Sequence, residues 1–246
     1  MKILAISFVY NEIDYLPLSV EYYRQQGCDV YVIDNMSTDG TWEWLQDQGI
    51  PSHRVDTNEE FHLERLQKEL LDTVHRLKPL YFLWFSPDLF HVFEEDICDV
   101  VDDLHRQGIT SVTSPCWNFK NTGEEFALPM PNHYRFAQLN GSNICLLSKY
   151  DESVKITADR IRVPAEITIT KGFLFEYGAC KPREVQESKL ARREKAWKSG
   201  ATRGHGVHYK TGKARNWLYS EYELTDVWAL NIEEFLKLRI WINEIT

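Results

Sequence analysis

Two short apolar runs near the amino terminus, each ending in polar and acidic residues, constrain the fold of this chain more than any other feature. Ile3 to Val9 is apolar except for Ser7 and runs into Tyr10-Asn11-Glu12, while Val30 to Ile33 runs into Asp34-Asn35-Met36-Ser37-Thr38-Asp39-Gly40-Thr41. Between them Ile13, Leu16, Val20 and Tyr23 recur at helical spacing until Gln26-Gly27, where Gly27 supplies a C-terminal stop. Runs that are apolar on both faces suit buried parallel strands, and a strand, helix, strand unit crosses over right-handedly, making its two strands neighbours. Their polar ends then fall side by side at the carboxyl edge of the sheet, where open α/β sheets place ligands.

The alternation continues downstream. Thr41 is placed to cap a short helix carrying Trp42, Trp44 and Leu45, and His53 to Asp56 reads as a third strand. Leu63, Leu66, Leu70, Val74 and Leu77 mark one face of a helix that ends before Pro79. Leu80 to Phe85, bounded by Pro79 and Pro87, reads as a buried central strand that delivers Ser86-Pro87-Asp88-Leu89-Phe90 to the same edge. Glu94 to Gln107 reads as a helix, Ile109 to Trp117 as a strand, and His133 to Arg135 and Asn143 to Leu147 as sheet. Pro182 to Lys198 and parts of Tyr219 to Ile245 read as helices. No Ser/Gly-rich or Pro-rich tract and no repeat interrupts the 246 residues, so they are read as a single α/β domain with a helical C-terminal segment.

A net charge of −9 argues against binding polyanions over the whole surface, since phosphate contacts need a positive face. The charge is unevenly distributed: from Lys181 to Arg215, eleven Lys and Arg stand against three Glu. This run reads either as a solvated helix face or as a basic wall toward an anionic ligand. The five cysteines are scattered, odd in number and without the close pairing of zinc sites, which fits a reducing, cytoplasmic setting. No apolar run approaches the length of a membrane span.

Asn11-Glu12 after the first strand, with Asp34-Asn35-Met36-Ser37-Thr38-Asp39-Gly40-Thr41 after the second, resembles the donor-binding signature of family 2 glycosyltransferases with the GT-A fold. The resemblance covers roughly the first ninety residues. It implies a Rossmann-like, mixed but mainly parallel sheet flanked by helices, with 1–105 as the nucleotide-sugar-binding half, 106–180 as the acceptor half and 181–246 as a basic segment with helices. It also implies a UDP- or GDP-linked sugar as donor and a carbohydrate or other hydroxyl as acceptor. Glu12 and Asp34 would then contact base and ribose, with Asn11, Asn35 and Asp39 close by, and Arg65 and Lys68 would lie near the diphosphate. The acid-x-acid metal motif of the family is represented by Ser86-Pro87-Asp88, so a divalent cation, Mn²⁺ or Mg²⁺, would rest on Asp88 with a helper, for which His208 in Arg203-Gly204-His205-Gly206-Val207-His208 is the candidate.

Transfer with inversion also needs a carboxylate to take the acceptor proton. Asp159, Glu166 and Glu176 are candidates, and Glu176 is preferred because its neighbours Phe173, Leu174 and Phe175 are apolar enough to raise its pKa. Trp117, His133, Tyr134 and Phe136 are candidates for stacking on a sugar or base. Each of these residues also has an ordinary local use: Asp34 and Asp39 in turns and helix capping, Asp88 in a Ser-Pro-Asp turn, Lys68 toward solvent, the aromatics in the core. Two other functions suit the same residues: a catalytically silent nucleotide-sugar-binding protein that has lost the metal motif, and a protein acting on nucleic acid through 181–215.

Overall fold

The apolar runs form the strands of a mainly parallel sheet. A computed structural model of the protein describes residues 2–58, 62–122, 125–139, 144–157, 160–162, 167–198, 224–230 and 232–245. The chain begins β1 (Ile3–Val9), α1 (Leu16–Gln25), β2 (Asp29–Asp34), α2 (Thr41–Asp47), β3 (Ser52–Arg54), α3 (Leu63–Leu77) and β4 (Tyr81–Trp84). Next come β5 (Leu89–Val92), α4 (Ile97–Arg106), β6 (Ser111–Ser114), β7 (Cys116–Phe119), β8 (Phe136–Leu139) and β9 (Ile144–Lys149). The remaining elements are β10 (Lys155–Thr157), β11 (Arg160–Arg162), β12 (Thr168–Thr170), β13 (Phe173–Glu176), α5 (Arg183–Lys198), β14 (Thr225–Asp226) and α6 (Glu233–Ile245).

Seven strands form the first sheet in the order β12-β6-β9-β4-β1-β2-β3, and β9 alone runs antiparallel to its neighbours. The strand order reverses between β1 and β4, since β1 is followed along the chain by β2 on one side and later by β4 on the other. That reversal is the switch point at which open α/β sheets bind ligands. A second sheet follows the order β14-β8-β7-β13-β5.

Because side chains alternate across a strand, both faces of the first sheet are apolar and both are covered. On one face Ile3, Ala5, Val32 and Leu83 pack with Leu16, Val20 and Tyr23 of α1 and Ile97, Val101 and Leu104 of α4. The same cluster takes in Phe90, Phe119 and Phe175 from the second sheet. On the other face Leu4, Ile6, Ile33 and Phe82 pack with Leu70 and Val74 of α3.

Beyond shifts of a few residues at element ends, such as β3 and α4, the sequence expectation differs in three places. The stretch Ile109 to Trp117 is two strands in two sheets, because Pro115 has no N–H for a ladder and the chain changes sheet there. His133 to Arg135 is not strand; it follows a single 3₁₀ turn, Met130–Asn132, and β8 begins one residue later. Thr41 is the first residue of α2 rather than its cap, and the Asp39 carboxylate accepts its N–H. All five cysteines are free thiols. Among the described residues, no helix is long and apolar enough to cross a membrane.

Candidate functional site

The segments that follow β1 and β2 are laced together by their own polar groups. Asn11, in the left-handed region at φ 53°, accepts from the Thr38 N–H at 2.8 Å, while its own N–H donates to Ser37 Oγ at 2.9 Å. The Glu12 N–H donates to Thr41 Oγ1 at 3.0 Å, and the Ile13 N–H to Asp39 Oδ2 at 3.1 Å. Asp34 is fully buried; Arg54 Nε donates to its Oδ2 at 2.8 Å and the Ser37 N–H donates to the same carboxylate. The Arg54 guanidinium also donates to the Ser37 carbonyl and lies 5.0 Å from the Trp42 ring centroid, which holds β3 against the turn. Asn35 accepts from Thr57 Oγ1 at 2.7 Å, whereas its buried Nδ2 has no partner. A buried amide donor left unsatisfied costs stability and marks a place where a ligand acceptor would be favoured.

Across the switch point a denser cluster forms. Glu12 leaves the end of β1, and Asp88 leaves the end of β4 through the turn Ser86-Pro87, where the Leu89 N–H donates to the Ser86 carbonyl. The Lys181 ammonium sits between them, 2.8 Å from Glu12 Oε2 and 2.6 Å from Asp88 Oδ2. Lys181 is 2% exposed, and its Nζ lies 4.0 Å from the Tyr15 ring centroid. From α5, Lys189 donates to the other Glu12 oxygen, Oε1, and Arg192 stacks on Tyr10 at 3.3 Å. Half-buried Glu176 ends β13 opposite Leu89 of β5, which sets it beside Asp88. Gly178 keeps this corner open: a Cβ there would stand 3.3 Å from Asp88 Oδ2 and 3.7 Å from Glu176 Oε1.

Electrostatics separate the two carboxyl groups. Burial pushes Asp88 up, but the Lys181 and Lys189 ammonium groups outweigh it and hold the carboxyl at about 2. Burial and then the Asp88 charge raise Glu176 to about 7, only partly opposed by Arg193, Lys120 and Lys181. Burial would lower Lys181, yet Asp88 and Glu12 hold it protonated and its pKa rises. Lys189 is lowered to about 8 by burial and by the Lys181 charge. At neutral pH the site thus holds an ionised acid beside one that titrates, the division of labour that acid and base chemistry uses.

The structure gathers Asn11, Glu12, Asp34, Asn35, Asp39, Asp88 and Glu176 at one edge. It does not bring Arg65 or Lys68 to the cluster: both are exposed on α3, and Lys68 pairs with Asp72. Trp117 and Tyr134 are buried in the core, while His133 is exposed. His208, Asp159 and Glu166 lie outside the described residues. Sequence reasoning missed the roles of Lys181, Lys189 and Arg54; the basic run pointed to the first two only as a group.

A divalent cation needs hard oxygens with free lone pairs. Here both Glu12 oxygens and Asp88 Oδ2 face ammonium groups, and Ser86 stands where the resembling family has its first acid. Among the described residues, no group of three or more His, Cys, Asp or Glu is placed to hold a metal. As they stand, these donors do not fit such an ion.

No family model and no curated protein matches the chain. Among solved structures, TarS 1-349 of S. aureus is similar at TM-score 0.47 and 13% identity, over 78% of this chain and 64% of that one. TarS 1-349 in complex with UDP is similar at TM-score 0.41 and 14% identity, over 79% and 54% of the two chains. In complex with UDP-GlcNAc the values are 0.40 and 15%, over 55% and 39%. The chain thus spans less than two thirds of the length of these structures, and at such scores the likeness carries no argument about function.

Proposed function

We propose that the chain is a glycosyltransferase that moves a sugar from a nucleoside diphosphate sugar, UDP- or GDP-linked, to a hydroxyl acceptor. The observation that carries this reading is the convergence of Glu12, Asp34-Asn35 and Asp88 from the carboxyl ends of β1, β2 and β4, the three adjacent parallel strands around the switch point, with two lysines and Glu176 over them. In this reading the Asn35 amide, buried and unpartnered at Nδ2, donates to a carbonyl of the base. Lys189, the more exposed of the two lysines, meets the diphosphate and stabilises the charge that develops as it departs.

Glu176 acts as general base for transfer with inversion. As the acceptor oxygen bonds to the anomeric carbon, its proton passes to the Glu176 carboxylate, and the electrons of the breaking glycosidic bond leave on the diphosphate. Its value of about 7 suits a group that must be partly ionised at neutral pH and still hold a proton. One observation favours a silent binding protein instead: Ser86 and the Lys181 pairing leave Asp88 without the acid partner of the family motif.

Calorimetric titration with UDP, GDP, CDP and dTDP tests the donor reading. One-to-one binding that prefers one base, weakened in Asn35→Ala, is the expected result, and no heat with any of the four would overturn it. Release of nucleoside diphosphate from the matching sugar nucleotide, lost in Glu176→Gln while binding persists, separates the enzyme from the silent protein.

A further inference from the structure

We propose that Lys181 is the resident cation of this site: its ammonium holds the position between Glu12 and Asp88 that a divalent ion would take, so the site binds a diphosphate without metal. The ligand part of this inference rests on the glycosyltransferase reading; the placement of the cation does not.

Geometry supplies the first argument. Lys181 reaches two carboxylates that come from different strands, at 2.8 and 2.6 Å, and it is 2% exposed. The turn that delivers it, Gly178–Cys180, is fixed by the Cys180 N–H donating to the Tyr177 carbonyl, and Gln186 donates to the Lys181 carbonyl. Such an ammonium cannot step aside for an incoming ion without leaving a buried charge unpaired, which is strongly destabilising.

Charge supplies the second. Glu12 and Asp88 are balanced by Lys181 and Lys189, the same balance that two carboxylates reach with one divalent ion. A metal added to this set would bring two more positive charges next to two ammonium groups. Lys181 therefore neutralises the acids, and Lys189, with 29% of its side chain exposed, is left to face phosphate.

The test uses Mn²⁺ itself, followed by the six-line electron paramagnetic resonance signal of the free ion. The wild-type protein alone should leave that signal undiminished, and in the presence of UDP it should lower it no further than the same UDP does without protein. Lys181→Ala should diminish it by exposing a two-carboxylate site, and adding Asp88→Asn should restore it. UDP affinity should be the same in Mn²⁺ and in chelator for the wild type and fall at least about tenfold in Lys189→Met. Stoichiometric Mn²⁺ uptake by the wild type that disappears in Asp88→Asn would overturn the proposal, and so would UDP binding that requires the metal. Should Lys181→Ala fail to fold, as judged by circular dichroism, the wild-type and Asp88→Asn measurements decide alone. Exclusion of Mn²⁺ from the wild type with none of the four diphosphates bound would uphold the cation placement and sink the donor reading.

Discussion

Glu176, the proposed general base, also carries a measurable cost in stability. Its folded value of about 7 lies above the ordinary 4.5 because desolvation of the carboxyl and then the Asp88 charge disfavour its ionised form. Between those two values the native state holds a proton that the unfolded chain has lost, so stability falls as pH rises through the window and is level above it. The full difference is on the order of 3 kcal/mol. Glu176→Gln removes the titration, so the variant should be more stable than the wild type at pH 8 and equal to it near pH 4, by urea denaturation across that range. Equal slopes for both proteins would show that Glu176 ionises normally. The sequence made this residue legible, because Phe173-Leu174-Phe175 announces its apolar setting. It could not announce Lys181, which lies far along the chain from both acids that hold it and looks, locally, like any first member of a basic run.

At the scale of elements, Asp88 and Glu176 are positioned by β5, and β5 is an edge strand. Its outward backbone groups meet tyrosines of α1 rather than another strand. Tyr23 OH donates to the Leu89 carbonyl at 3.0 Å and accepts from the His91 N–H at 3.3 Å, while Tyr22 OH donates to the His91 carbonyl at 2.6 Å. This covers an edge that would otherwise be open to foreign strands. The His91 imidazole, kept neutral by burial at about 4, donates from Nε2 to the Trp84 carbonyl and joins β5 to the end of β4. Tyr23→Phe strips two partners from β5 at once and should cost about 1–3 kcal/mol. Faster amide exchange at His91 than at Val32 in that variant would place the loss at β5; unchanged exchange at His91 would refute the clamp. None of this was readable beforehand, because Leu89-Phe90 reads as the tail of a turn until β13 pairs with it. The strands β1, β2 and β4 were legible because burial on both faces writes the same apolar run in every one of them. The break at Pro115 was missed because continuous hydrophobicity says nothing about which sheet a strand joins.

The whole molecule is tied together at the site. Glu12 follows β1 of the first sheet, Asp88 precedes β5 and Glu176 ends β13 in the second, and Lys189 comes from α5. One apolar cluster spans both sheets, from Ile3 and Val32 to Phe119 and Phe175. We infer from this continuity that the two sheets unfold as one unit. Tryptophan fluorescence and far-ultraviolet circular dichroism should then give superimposable denaturation curves. Ligand binding sharpens the test, because a diphosphate held by residues of both sheets and α5 binds only when all of them are folded. Whichever diphosphate binds should raise the unfolding free energy by about 2.7 kcal/mol at a hundredfold excess over its Kd, moving both probes together. If the ligand shifted one probe and left the other in place, the two sheets would be separate folding units and the site would lie within only one of them.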